Sequence, residues 1–159
     1  MATRSTIALE FADGTVEQIY CHWDGYLAHN GKILRDHYSN PFILRDLIDL
    51  GDISSLGPNI GRKHAFSPFE GDKADYEAAR EAGWTTFFGR DRGETGVKAR
   101  KFKDFEEYRL KAQREEYDYI LRNIDGKATW FVCDHDGAYV TLESAIMDEQ
   151  DRIAQEETA

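Results

Sequence analysis

The chain is short of apolar runs, of cysteine and of positive charge. No stretch approaches the ~20 consecutive apolar residues of a membrane span, so no transmembrane helix is expected. Cysteine occurs only as Cys21 and Cys133, far apart and with no CxxC spacing, which leaves no disulfide framework and no zinc-ribbon pattern. The opening residues Met-Ala-Thr-Arg-Ser-Thr run straight into an alternating strand pattern with no apolar h-region. Export is therefore not expected; a cytoplasmic protein with two buried thiols is. Twenty Lys and Arg stand against 30 Asp and Glu, giving a formal charge of −10 and a pI near 4.9. Such a surface repels a phosphate backbone, and no Lys/Arg stripe offsets it, so direct nucleic-acid binding is not expected. GxSxG, P-loop, GxGxxG and HExxH patterns are all missing. There is no internal repeat and no low-complexity segment.

What the sequence does contain is material for one folded domain. At 159 residues and 18.3 kDa, with 41% hydrophobic and 13% aromatic residues, it is too apolar to stay disordered. A chain of this length buries roughly two thirds of its unfolded surface. Acidity is uneven: of the ten excess negative charges, seven fall after residue 100. A contact with a basic surface on another protein and a solvated, solubilising face both account for this.

Residues 4–11 alternate, with Ile7, Leu9 and Phe11 on one face. Asp13-Gly14 then supplies a hairpin turn, and 15–23 returns with Ile19, Cys21 and Trp23 on one face and Gln18, Tyr20 and His22 on the other. A short helix over 31–38 places His37 on its apolar side. Asn40-Pro41 reads as an N-cap and first helical residue, and Gly51 as the stop, of a helix with stripe Ile43, Leu44, Leu47, Ile48. Residues 52–71 read as an irregular connector, with a mobile lid as the alternative. A helix over 73–82, a strand over 84–90, and a helix begun by an Asp104/Glu107 capping box and ending near 114 follow. Two further Asp-Gly turns, at 125–126 and 136–137, divide the remaining strands into a meander. The fold class expected is α+β: a mostly antiparallel sheet built from β-hairpins, with helices packed on one face. The domain is expected to span 1–142, with 143–159 an acidic, polar helix or tail.

Three segments combine charge, aromatics and glycine. In Cys21-His22-Trp23-Asp24-Gly25-Tyr26, an extended strand places His22 and Asp24 on the same side. There an imidazole and an orienting carboxylate make an acid–base pair. The structural alternative is a turn with Trp23 packed inward and His22 bonded to a loop. In Gly89-Arg90-Asp91-Arg92-Gly93-Glu94, glycine-flanked guanidinium groups suit an anion, with Tyr26, Arg90, Asp91, Arg92 and Glu94 as candidate ligand-binding residues. Pairing of these charges among themselves is the alternative. The third segment, Cys133-Asp134-His135-Asp136-Gly137, suggests metal. Cys133 and His135 face opposite to Asp134 and Asp136, however, and zinc generally needs four ligands, so no metal and no cofactor is expected. His29 and His64 are expected to be exposed.

Certain residues carry a resemblance. Thr3-Arg4-Ser5, Tyr20-Cys21-His22-Trp23-Asp24-Gly25-Tyr26, Gly31 with Leu34, Gly51-Asp52-Ile53-Ser54-Ser55-Leu56 and Phe88-Gly89-Arg90-Asp91-Arg92-Gly93-Glu94 make the chain similar to a group of small tailed-phage proteins with looser bacterial relatives. The likeness is close over 3–56 and 84–94 and weaker over 116–132. The tail from Glu143 has no counterpart, and Leu27 stands where relatives often have proline. The group carries no known activity. The resemblance implies a source and a setting, a small accessory phage protein made in a host cytoplasm; together with the acidic surface and the lack of a catalytic signature it makes a non-enzymatic protein that binds a host or defence protein the first expectation. A small hydrolase or phosphate-binding enzyme using His22 and Asp24 with Arg90, Asp91 and Arg92 is the second expectation, and a minor virion or assembly protein the third.

Overall fold

A computed structural model describes residues 2–133 and 136–158. It opens with the expected hairpin: β1 (Ser5–Glu10) pairs antiparallel with β2 (Val16–Cys21), Ser5 opposite Cys21 and Glu10 opposite Val16. Asp13 shapes the turn by accepting from the Thr15 amide at 3.0 Å and the Thr15 hydroxyl at 2.7 Å. A single π-helical turn, Leu27–Gly31, then runs directly into α1 (Lys32–His37). In α2 (Pro41–Asp49), Asn40 caps the Phe42 amide at 2.9 Å and proline takes the first position. The remaining elements are β3 (Ile53–Ser55), α3 (Lys73–Glu81), β4 (Thr86–Phe87), α4 (Phe88–Arg92), β5 (Arg100–Phe102), α5 (Phe105–Lys111), β6 (Tyr117–Ile124), β7 (Lys127–Cys133), β8 (Tyr139–Thr141) and α6 (Leu142–Thr158).

The class is α+β. Eight strands form one mixed sheet in the order β4-β3-β2-β1-β6-β7-β8, with β5 added beside β2. Antiparallel pairs predominate, but β1 with β6 and β2 with β3 are parallel. The outer edge of β2 is shared: Val16–Gln18 face β5, while Cys21 meets Ile53 of β3. Asp52 joins the two halves. Its Oδ1 accepts the Tyr20 amide at 2.8 Å, and Arg100 of β5 donates to both carboxylate oxygens at 2.6 and 2.9 Å.

One face of the sheet packs Ile7, Leu9, Ile19, Leu121 and Val132 against Leu34 of α1, Leu44, Leu47 and Ile48 of α2, and Leu142 and Ile146 of α6. Each such side chain contributes about 1.5–3 kcal/mol when fully buried. The other face packs Ala8, Val16 and Ile120 against Tyr108 of α5. Helices therefore flank both faces, a correction to the one-face expectation. The second face is aromatic, with Phe102, Phe105, Phe131 and Tyr139 around Tyr108, and an open sheet cannot leave that area in water.

Several local expectations are also corrected. His37 is exposed; α1 meets the core through buried Leu34 and half-buried Ile33. His64 is buried. Of residues 84–90 only Thr86 and Phe87 lie in a strand; the charged segment after them is a helical turn closed by Gly93 at φ +75°. The helix started by Asp104 stops at Lys111, three residues early. The polar tail is a 17-residue helix whose first turns enter the core through Leu142 and Ile146. No helix among the described residues is long and apolar enough to cross a membrane.

Candidate functional site

The register Cys21–Ile53–Phe87 decides where the two charged segments go. β2 and β3 are parallel and β4 is antiparallel to β3. The chain therefore leaves β2 after Cys21 toward one end of the sheet and leaves β4 after Phe87 toward the other. The segments at 22–26 and 89–94 diverge; they do not open on one cleft.

Beyond Cys21 the backbone still pairs with β3, His22 N–H to Ile53 O at 3.1 Å and Trp23 N–H to Ser54 O at 3.0 Å. It then turns sharply. Asp24 has φ +57°, a left-handed conformation that costs a non-glycine residue about 1–2 kcal/mol. Gly25 follows against β1: its N–H meets Thr3 O at 2.8 Å, and a Cβ there would lie 2.7 Å from Ser5 Cβ. Tyr119 clamps the turn from β6, donating to Gly25 O at 2.6 Å. No hydrogen bond or ion pair joins His22 to Asp24 among the described residues, and the His22 ring stands edge-on to Trp23 with centroids 4.8 Å apart. The His22 ring goes to Tyr20, Nδ1 to Oη 2.8 Å, and burial with nearby Arg4 lowers its pKa. The Asp24 side chain goes instead to the cleft beside β3. Trp23, expected to pack inward, is 44% exposed.

That cleft consists of two adjoining cavities of about 360 and 150 Å³ that share Asp24, Ser55 and Arg80. Trp23, Phe66 and Tyr76 line the larger, and His29 and Trp84 the smaller. Arg80 sits in the last turn of α3 with its guanidinium 5.9 Å from the Tyr76 ring centroid. Neither the Asp24 carboxylate nor the Arg80 guanidinium has an ion-pair partner among the described residues. The cleft thus offers one anion, one cation, serine hydroxyls and aromatic walls to whatever enters it. Tyr26 is 39% exposed and has its ring 6.0 Å from that of His29.

Arg90 and Asp91 point into the protein. The Asp91 carboxylate, wholly buried, accepts from the amides of His64 at 3.1 Å and Phe87 at 2.7 Å and from Arg90 Nε and Nη2 at 3.0 and 3.1 Å. Arg90 also donates to Ile60 O and Thr85 O, each at 2.9 Å, and stacks on Phe87. Its donors are occupied by the fold. Together the two residues fasten the connector at 57–71 to β4. Arg92 does the same nearer the surface. It lies over Phe66 at 4.1 Å, binds Glu94 at 2.6 Å and approaches Glu70 at 3.6 Å.

No group of three or more His, Cys, Asp or Glu is arranged to hold a metal ion among the described residues. Asp134 and His135 of the third segment lie outside the described residues. Cys21 and Cys133 are buried and not joined in a disulfide, and burial pushes Cys21 up to about 11, which removes it as a nucleophile near neutral pH. Tyr76 and Arg80 were not legible as site residues, although Ser55 lies in the resemblance-bearing Gly51–Leu56 segment. Comparison with protein-family models, curated proteins and solved structures returns no match.

Proposed function

We propose that this is a non-enzymatic binding protein that grips a partner protein through the cleft formed by Trp23, Asp24, Tyr76 and Arg80. The composition of that cleft carries the reading. Tryptophan, tyrosine and arginine dominate the energetics of protein interfaces. Here Trp23 and Tyr76 stand beside the Asp24 carboxylate and the Arg80 guanidinium, neither of which has an ion pair among the described residues. Asp24 adds a strained backbone, a feature that clusters at ligand clamps. The tailed-phage resemblance supports a host or defence protein as the partner and the host cytoplasm as the setting. A net charge of −10 supports a protein over a nucleic acid. The hydrolase alternative calls on Arg90, and the bonds of its guanidinium to Asp91, Ile60 O and Thr85 O favour the binding reading over it.

The test is affinity capture from infected cells with tagged wild-type protein, Trp23→Ala and Arg80→Glu, each checked for native circular dichroism. One host protein retained at stoichiometric amount by the wild type and lost by both variants is the expected result. A wild-type protein repeatedly recovered alone, or a partner retained by both variants, overturns the reading. Turnover of a phosphate ester by pure protein, abolished by His22→Ala in a folded variant, restores the enzyme.

A further inference from the structure

The opposite end of the sheet holds a groove that this cleft does not use. It lies between the start of α2 and the far ends of β1 and β6, and its volume is about 420 Å³, within the range of small-molecule sites. Leu9, Leu121 and Ala128 form its floor, and Phe11 and the 68%-exposed Phe42 form apolar walls. β1 and β6 are each paired on both sides, so the groove has no free strand edge on which a peptide could add.

Three charged residues line it: Glu10, Arg45 and Arg122. Two of them cancel. Arg122 Nη2 and Nε meet Glu10 Oε2 at 3.1 and 3.3 Å, and the Asn123 amide takes Oε1 at 3.2 Å. Arg45 is left over. Its guanidinium lies 5.5 Å from the Phe42 ring centroid, and it makes no ion pair among the described residues, Asp49 one turn along included. In a chain of net charge −10, this groove therefore carries an uncompensated positive charge beside an apolar trough.

We propose that the groove binds a free single-chain carboxylate, its hydrocarbon chain along Leu9, Leu121 and Phe42 and its head group on Arg45. A guanidinium fork matches a carboxylate with two parallel hydrogen bonds. The charge complementarity favours an anionic amphiphile over a neutral one, and the size of the groove favours one chain over a protein surface.

The experiment is calorimetric titration with octanoate, decanoate and dodecanoate below their micelle concentrations, and with octanol, against wild type and Arg45→Gln. Arg45 is exposed and unpaired, so the variant keeps its fold. Each added methylene is expected to tighten binding about three- to fourfold until the groove is full. Octanoate is expected to bind wild type about tenfold tighter than octanol, from one charge-assisted contact, and the gap closes in Arg45→Gln. A flat chain-length series, equal binding of acid and alcohol by wild type, or a gap that survives in Arg45→Gln overturns the proposal. So does stronger retention on phosphatidylglycerol vesicles than on free decanoate, which assigns the groove to a membrane surface. Trp23→Ala is expected to bind decanoate as wild type does, which keeps this site separate from the partner cleft.

Discussion

Replacing Asp91 by alanine removes one carboxylate and releases four hydrogen bonds at once. Two of the donors are backbone amides, His64 at 3.1 Å and Phe87 at 2.7 Å, and both are buried where water does not reach them. Leaving a buried donor unsatisfied costs about 1–3 kcal/mol. The other two donors belong to Arg90, which keeps its carbonyl partners at Ile60 and Thr85 and so loses its counter-charge but not its position. Because the Asp91 side chain is wholly buried and that of Arg90 only 13% exposed, solvent screens little of the pair. The expected loss is about 3–5 kcal/mol, the range for removing one partner of a buried ion pair. With a urea m-value of about 1–3 kcal/mol/M, the midpoint falls by roughly 1–5 M at unchanged m. Asp91→Asn retains one acceptor and is expected to fall between. Hydrogen exchange locates the damage: amides at 57–71, which Arg90 and Asp91 fasten to β4, lose protection first. A midpoint for Asp91→Ala within 0.3 M of wild type would refute the assignment of this residue to the fold and return Arg90 and Asp91 to the candidates for ligand binding.

Four more outcomes follow from burial. Burial raises the Asp118 carboxyl pKa in spite of its hydrogen bonds from Thr6 Oγ1 at 2.6 Å and the Glu115 amide. A carboxyl raised in the folded state holds its proton longer there than in the unfolded chain. Folding thus loses stability as pH climbs from the ordinary aspartate range, about 4, through the raised folded value. Asp118→Asn is expected to be more stable than wild type at pH 7, with the advantage gone by pH 3.5; urea midpoints at the two values decide it, and a less stable variant at pH 7 counts against. Iodoacetamide at pH 8 is expected to leave Cys21 unmodified in the native protein and to alkylate it in urea, read by peptide mass, since burial holds that thiol near 11. A chain shortened after Gln150 keeps Leu142 and Ile146 and, among the described residues, loses only exposed ones, so its melting point is expected to stay within about 3 °C of wild type. Ile146→Ala, in contrast, is expected to cost about 2–4 kcal/mol through the cavity it leaves under α6.

The hairpins were readable because their turns are chemically specified. Asp125-Gly126 requires positive φ at both positions, and the two residues adopt +52° and +82°. The caps at Asn40 and Asp104 were readable for the same reason, a short acceptor placed before an amide that lacks a partner. What could not be read is pairing between distant segments. Ser5 lies opposite Tyr117, and no local pattern in either strand names the other. The three-residue β5 shows no alternation at all; it exists because Arg100 reaches Asp52 and Phe102 packs beside Tyr108. His64 reads as a loop histidine until Asp91 and the carbonyl of Thr85 are brought around it from elsewhere in the chain.

The candidate site divides along the same line. Trp23 and Asp24 announce themselves because a rigid aromatic and a carboxylate precede a glycine at the end of a strand. Arg80 does not, since an arginine on an exposed helix looks like any solvated charge until the fold sets it across a cleft from Asp24. The Gly89–Glu94 segment shows the converse. Alternating charges between glycines describe an anion-binding turn and an internal fastening equally well in one dimension. The difference lies in supply and demand for hydrogen bonds. The connector at 57–71 is an irregular segment whose buried amide at His64 and carbonyl at Ile60 need partners that no regular element gives them. An aspartate and an arginine side by side provide an acceptor and a donor together. Once both are used inside the protein, little is left for a ligand there, whereas the cleft and the groove are lined by charges with no ion pair among the described residues, Asp24 and Arg80 at one end of the sheet and Arg45 at the other.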